Sequence, residues 1–255
     1  MRWLPRLVLI ACAVLAVPLA AASLQSARTT APAAGAEETW VPLFDGKSLQ
    51  GWRGYKRPDA SSTRWRVVEG ILTLPASDGQ DTRGALDIIT TDTFDHFELS
   101  FDWRVSRGGN SGIKYLVLED MNSAIGHEYQ ILDDERHPDA KIGRHRQTAA
   151  LYDVLPPSVP RTGPAFKPAG EWNTGRIRVA PSRAKSGATS VYHYVNDVRV
   201  LEYELDSPEL RAAIEKSKFK DVARFGTLQK GHILLQDHGD QVWYRNLKMM
   251  RLTGS

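Results

Sequence analysis

The feature that most constrains the fold is a strict nine-residue alternation, FELSFDWRV, over residues 97–105. Apolar side chains stand at Phe97, Leu99, Phe101, Trp103 and Val105, and one polar residue separates each from the next. Successive side chains of a strand point to opposite faces, so this pattern predicts a long strand with one face in a core.

Most of the remaining sequence shows similar strand patterns. Further strands are predicted at 85–90, 111–119, 127–132, 149–154, 175–180, 190–195, 198–205, 231–236 and 243–252. Asn196-Asp197 is predicted to be the two-residue turn of a hairpin. Only residues 207–219 predict a helix, because Ser207 can cap it and Pro208 suits the first helical position. Many strands with one short helix indicate an all-β, two-sheet sandwich.

The first 22 residues have the pattern of a secretory signal peptide. Arg2 and Arg6 precede an apolar run, and small residues follow at 20–22. The run is shorter than the roughly 20 residues that a membrane helix needs, so no transmembrane span is expected in the mature protein. Residues 23–39 are predicted to be a flexible linker and 40–252 one domain. Export to the periplasm or the extracellular space is therefore expected, and a lipoprotein anchored through Cys12 is the less favoured alternative.

The charge of the mature chain argues against a nucleic-acid partner. Removing Arg2 and Arg6 from 33 basic and 30 acidic residues leaves 31 against 30, and these charges are interspersed. Binding to nucleic-acid phosphates requires a basic stripe, which the sequence lacks. The sequence does not predict an oligomeric state.

The alternation also predicts which polar side chains share a surface. If the apolar residues of three strands face the core, then Arg104, Lys114, Glu128 and Gln130 point outward and could line one surface. Mixed charges beside an amide suit a polyol ligand. The alternative is a solvated ion-pair network, which would contribute little to stability.

Two further segments carry candidate residues. Gln236-Asp237-His238 follows an apolar strand, and histidine titrates near neutral pH, so an acid–base role and a structural role are both open. Trp172 could offer a flat surface to a sugar, although the core is favoured for it.

The spacing of the histidines at 127, 137 and 145 is not compact, so it predicts no zinc ligand set. A divalent metal cofactor is left open, and its ligands are not predicted. A calcium site with oxygen ligands such as Asp45 or Asp133 is one form that it could take.

Several motifs together resemble one family. They are LFDGKSL at 43–49, DWR at 102–104, GNSGI at 109–113, EYQILD at 128–133, GEWN at 170–173 and LQDHG at 235–239. In this order they resemble the 3-keto-disaccharide hydrolase domain family over nearly the whole predicted domain. The resemblance implies a concanavalin A-like jelly roll and an exported bacterial protein. It also implies a carbohydrate substrate, a glycoside already oxidised to a ketone at sugar C3.

The resemblance and the predicted faces together suggest a site. A C3 ketone acidifies the C2 proton, so the glycosidic bond can break by elimination and water can then add. Glu128 or His238 would be the C2 base, and the other would protonate the leaving group. Lys114, Arg104 or a bound metal would stabilise the enolate. The residues expected to bind substrate or orient the catalytic groups are Arg104, Asn110, Gln130, Asp133, Trp172, Gln236 and Asp237.

Two non-catalytic functions are alternatives on the same fold: a lectin-like glycan-binding module and a cell-surface interaction domain. Aromatic residues along a concave face would favour the first, and an extended apolar patch would favour the second. A buried Glu128 and His238 would favour chemistry.

Overall fold

The computed structural model describes residues 39–78, 86–121, 123–159 and 165–252. All of them belong to one compact unit. The predicted signal peptide, including Cys12, and all but the last residue of the predicted linker lie outside the described residues. Within the described ranges, no helix is long and apolar enough to cross a membrane.

Antiparallel strands are the main regular element of the described residues. They are β1 (Val41–Pro42), β2 (Trp52–Gly54), β3 (Arg66–Val68), β4 (Ile71–Leu74), β5 (Ile88–Thr90), β6 (Phe97–Val105), β7 (Asn110–Val117), β8 (His127–Leu132), β9 (Asn173–Pro181), β10 (Thr189–Val195), β11 (Val198–Glu204), β12 (His232–Leu235) and β13 (Val242–Arg251). The helix is α1 (Pro208–Ile214), and 3₁₀ turns lie at Pro138–Lys141 and Arg144–Arg146.

The strands form two sheets. The larger sheet has the order β11-β10-β9-β6-β13-β4-β3, with β1 paired to β13, and the smaller has the order β2-β5-β12-β7-β8. Their inner faces pack together, as where Phe101 of the larger sheet meets Tyr129 of the smaller one edge to face at 5.3 Å between ring centres. For the described residues, the prediction of an all-β, two-sheet jelly-roll sandwich with one short helix is confirmed.

The β6 strand behaves as its alternation predicts. Its apolar residues are buried in the inter-sheet core, whereas Ser100, Asp102 and Arg104 on the other face are only partly buried. Glu98 also faces outward, yet it is buried because the Nη1 atoms of Arg176 and Arg178 donate to its carboxylate at 2.8 and 2.5 Å. The outer face of the larger sheet is therefore covered in part by its own arginines.

The predicted hairpin and helix cap are confirmed, but the helix is shorter than predicted. Asn196 and Asp197 have φ values of 45° and 66°, the left-handed conformation that a tight hairpin turn requires. The Ser207 hydroxyl accepts a hydrogen bond from Leu210 N at 3.1 Å, as an N-cap does. The helix ends at Ile214 and turns follow, so the extension to residue 219 was wrong.

The predicted strand at 149–154 was also wrong. Ala149 and Asp153 have φ values of 63° and 62°, which interrupt an extended strand. Between them, Leu151 makes isolated bridges to Tyr129 and Leu155. This segment nevertheless lies along the edge of β8 and covers it.

A polar cluster lies inside the core, between the two sheets. The Tyr115 hydroxyl lies 2.8 Å from His193 Nε2 and 2.6 Å from the Tyr203 hydroxyl, which in turn lies 2.6 Å from His127 Nδ1. Burial lowers the pKa of His127 to about 3 and that of His193 to about 4. Both imidazoles are therefore neutral at physiological pH.

Candidate active site

A cavity of about 670 Å³ opens on the outer face of the smaller sheet. Its floor is built from the outward-facing side chains of β7 and β8 and from the residues that follow β12. Six of the predicted residues line it, namely Asn110, Lys114, Glu128, Gln130, Gln236 and His238.

The pairing of β7 with β8 places the floor residues. Lys114 lies opposite Glu128, and Gly112 lies opposite Gln130. Tyr129 is fully buried on the other face of β8, in the inter-sheet core, so the predicted assignment of faces is confirmed for this strand.

Glu128 is a carboxyl group in a desolvated position at this floor. Gln236 Nε2 donates to its Oε2 at 3.2 Å, and the Lys114 ammonium lies 3.9 Å from the same oxygen. Burial raises the pKa of Glu128, and Lys114, Lys218 and the Gln236 hydrogen bond oppose that rise. A carboxylate with a raised pKa is a stronger base than an exposed one, as proton abstraction requires.

Gly112 creates the space in which Glu128 and Gln236 meet. A Cβ atom at this position would lie 2.2 Å from Gln236 Oε1 and 3.1 Å from Glu128 Oε1. Any larger residue would therefore displace the Gln236 amide. This close approach gives a physical reason for a glycine in the GNSGI motif.

His238 follows β12 along the chain, and it lines the cavity. Burial, followed by the charge of Lys114, lowers its pKa to about 4, so its imidazole is neutral at pH 7. The preceding Asp237 is fully buried, and its carboxylate accepts from Arg64 Nε at 3.0 Å and Nη2 at 2.5 Å. Asp237 does not line the cavity and instead anchors the turn that carries His238.

Asp87 is a cavity residue that sequence analysis missed. Its Oδ1 accepts a hydrogen bond from Asp237 N at 2.7 Å, so it holds the end of β12. Burial raises its pKa to about 6, although that backbone hydrogen bond and the charge of Lys114 oppose the shift. The single acidic residue before a short apolar strand offered no signal beyond its charge.

The remaining wall comes from segments outside the sheet. Tyr152 lines the cavity, and its hydroxyl donates to Asp139 Oδ2 at 2.8 Å. Lys218 and Phe219 line it from the turns that follow α1. No periodic pattern in the sequence links these residues to the site.

Arg104 and Trp172 do not lie at this cavity. Arg104 belongs to β6 in the larger sheet, so the prediction that it shares a surface with Lys114 and Glu128 was wrong. Its guanidinium stacks on Trp172 at 5.0 Å and on Trp243 at 4.1 Å from the ring centres. Trp172 is partly buried in this stack and is not among the core residues, contrary to the favoured prediction.

Asp133 also lies outside the cavity lining. It is fully buried and accepts hydrogen bonds from Gly108 N at 2.7 Å and Glu135 N at 3.1 Å, so it holds the ends of β7 and β8. Within the described part of the chain, no group of three or more His, Cys, Asp or Glu residues is arranged to hold a metal ion.

Comparisons with known proteins identify the family. The model of the 3-keto-α-glucoside-1,2-lyase-like domain matches residues 39–250. A 3-keto-disaccharide hydrolase of Bacteroides thetaiotaomicron is 38% identical over 237 residues, which cover 82% of this chain and 77% of the relative. The chain belongs to the 3-keto-disaccharide hydrolase family. It is thus a glycoside-cleaving hydrolase, and the resemblance seen in its motifs is confirmed.

Solved structures extend the family comparison to the fold. A proposed glycosyl hydrolase from Parabacteroides distasonis is 26% identical with a TM-score of 0.70, covering 85% of this chain and 95% of that one. A second such protein from the same species is 24% identical with a TM-score of 0.60, covering 84% and 100%. This second likeness shows the fold alone.

Proposed function

We propose that this member of the 3-keto-disaccharide hydrolase family cleaves 3-keto-glycosides by elimination followed by hydration. The observation that carries the proposal is a buried carboxyl group, Glu128, with a raised pKa at the floor of a cavity that also contains Lys114 and a neutral His238. The family description and the name of the Bacteroides relative support a ketone-bearing substrate.

The reaction begins at the carbon next to the ketone. A base removes the C2 proton, the C2–H electron pair forms a C2=C3 bond, and the carbonyl electrons move to the C3 oxygen as an enolate. The C3 carbonyl then re-forms, a C1=C2 bond forms, and the C1–O bond breaks with its electrons on the leaving oxygen, which takes up a proton. Water adds at C1 and a proton returns to C2, so the net result is hydrolysis.

Glu128 is the C2 base in this proposal. Its raised pKa brings it toward the working pH, where a general base is most effective, and Lys114 favours the ionised form that must accept the proton. His238 is neutral, so one ring nitrogen carries a proton that can be donated to the leaving oxygen.

Replacing each residue tests these roles with a 3-keto glucoside and its unoxidised parent. We expect the wild-type protein to release aglycone only from the ketone and Glu128→Gln to lose nearly all activity with every aglycone. His238→Ala should lose most activity with an alkyl aglycone but little with nitrophenol, which leaves without a proton. Full activity of Glu128→Gln would refute the base assignment.

The same assay separates the enzyme from a glycan-binding module. A protein that binds the unoxidised glycoside and the ketone equally, without turnover of either, would contradict the proposed function.

A further inference from the structure

Lys218 is a cation of the cavity that comes from the segment after α1 rather than from the sheet. Its backbone N donates to Asp153 Oδ2 at 2.7 Å, and Arg146 Nε holds the same carboxylate at 2.5 Å. Its ammonium lies 4.1 Å from the centre of the Tyr152 ring. A backbone anchor and an aromatic contact therefore position the side chain at the cavity.

Lys114, the other cavity lysine, is differently placed. Its ammonium donates to the Ala124 carbonyl at 2.8 Å and lies 3.9 Å from Glu128 Oε2. It therefore stabilises negative charge on the Glu128 carboxylate before the reaction. Lys218 also favours the ionised form of Glu128, but with a smaller effect than Lys114. It is exposed, and its ammonium lies 4.1 and 5.0 Å from the ring centres of Tyr152 and Phe219.

Negative charge moves during the proposed C2 deprotonation. Glu128 becomes neutral when it accepts the proton, and the charge arrives on the C3 oxygen of the sugar. A cation beside Glu128 stabilises the starting state more than the enolate, so it cannot by itself speed this step. The step needs a second donor where the charge develops.

We propose that Lys218 is that donor and binds the C3 oxyanion of the enolate. This assignment rests on the proposed function. It makes Lys218 a catalytic residue of the 3-keto-glycoside reaction, and it leaves Lys114 to keep Glu128 ionised.

Two assays test the assignment with the full mature protein. The first is aglycone release from a 3-keto glucoside, and the second is exchange of the C2 hydrogen of free 3-keto-glucose in D₂O, followed by NMR. The exchange reports enolate formation without bond cleavage. We expect Lys218→Met to lower kcat and the exchange rate together by about 10²- to 10³-fold, with KM changed much less. Lys218→Arg keeps the charge and should recover part of both rates.

Lys220→Met is the matched control, because Lys220 is an exposed lysine of the same segment, as Lys218 is, but does not line the cavity. It should leave both rates unchanged. If Lys218→Met retains wild-type exchange, or changes KM alone, the oxyanion assignment is wrong while the proposed function stands. If the wild-type protein neither exchanges the C2 hydrogen nor releases aglycone, the proposed function and this assignment both fail.

Discussion

Substitution of Gly112 by alanine tests whether the Gln236 amide controls the carboxyl group of Glu128. The new Cβ atom would lie 2.2 Å from Gln236 Oε1, far inside van der Waals contact, so the flexible amide must swing away. Its 3.2 Å hydrogen bond to Glu128 Oε2 is then lost. A hydrogen bond to a charged group contributes about 1.5–3 kcal/mol, and 1.36 kcal/mol corresponds to one pKa unit.

The loss should therefore raise the pKa of Glu128, because the hydrogen bond favours the ionised form. Since the base must be ionised, the acid limb of the kcat/KM profile should move upward with that pKa. On the acid side of the profile, Gly112→Ala should be about 10- to 100-fold slower than the wild-type protein. The measurement is aglycone release from a 3-keto glucoside across pH.

A double-mutant cycle isolates the cause. Gln236→Ala removes the same amide without a clash and should shift the acid limb equally. In that background there is no amide left to displace, and only the milder 3.1 Å approach of the new Cβ atom to Glu128 Oε1 remains, so Gly112→Ala should add little. An unshifted profile for Gly112→Ala, or two shifts that simply add in the double variant, would refute the reasoning.

Two further predictions concern stability. Arg64→Met should lower the free energy of unfolding by about 3–5 kcal/mol in a urea titration, because it removes the arginine that pairs with the fully buried Asp237; a loss below about 1 kcal/mol would contradict this. His193 has a folded pKa of about 4, below its usual 6.5, so the unfolded chain binds its proton first and stability is lost as pH falls through 6.5. Between pH 7 and 5, the free energy of unfolding of the wild-type protein relative to His193→Gln should therefore fall by about 2 kcal/mol. Over the same range the NMR shifts of His193 should remain those of a neutral ring. Titration of His193 near pH 6.5 would overturn the assignment.

The strand pattern predicted faces well but could not predict which strands share a sheet. Within β8, the alternation of side chains correctly places Glu128 and Tyr129 on opposite faces of the strand. Between β6 and β7 the same reasoning failed for Arg104, because these consecutive strands belong to different sheets. A face is fixed by the local backbone, whereas sheet membership depends on pairing between distant segments.

The residues that sequence analysis missed share this long-range origin. Asp87 and Lys218 reach the cavity only because the chain brings β5 and the turns after α1 to the same surface. Asp153, which holds the backbone of Lys218, adopts a left-handed conformation that aspartate tolerates better than most residues, so the sequence carried only a weak signal for the turn.

The surroundings of Glu128 include the segment that covers the edge of β8 as well as the strand itself. An acidic residue on the outer face of an edge strand is ordinarily solvated and has an ordinary pKa. Here the segment that follows lies along that edge, with Ala149 N donating to Gln130 O at 2.8 Å and Tyr152 N to Glu128 O at 3.1 Å. Because Ala149 is in the left-handed conformation, this segment turns instead of continuing as a strand, and it brings Tyr152 to the cavity wall. Burial raises the pKa of Glu128, and in the proposed reaction this makes an outward-facing glutamate of an edge strand a stronger base than a solvated one.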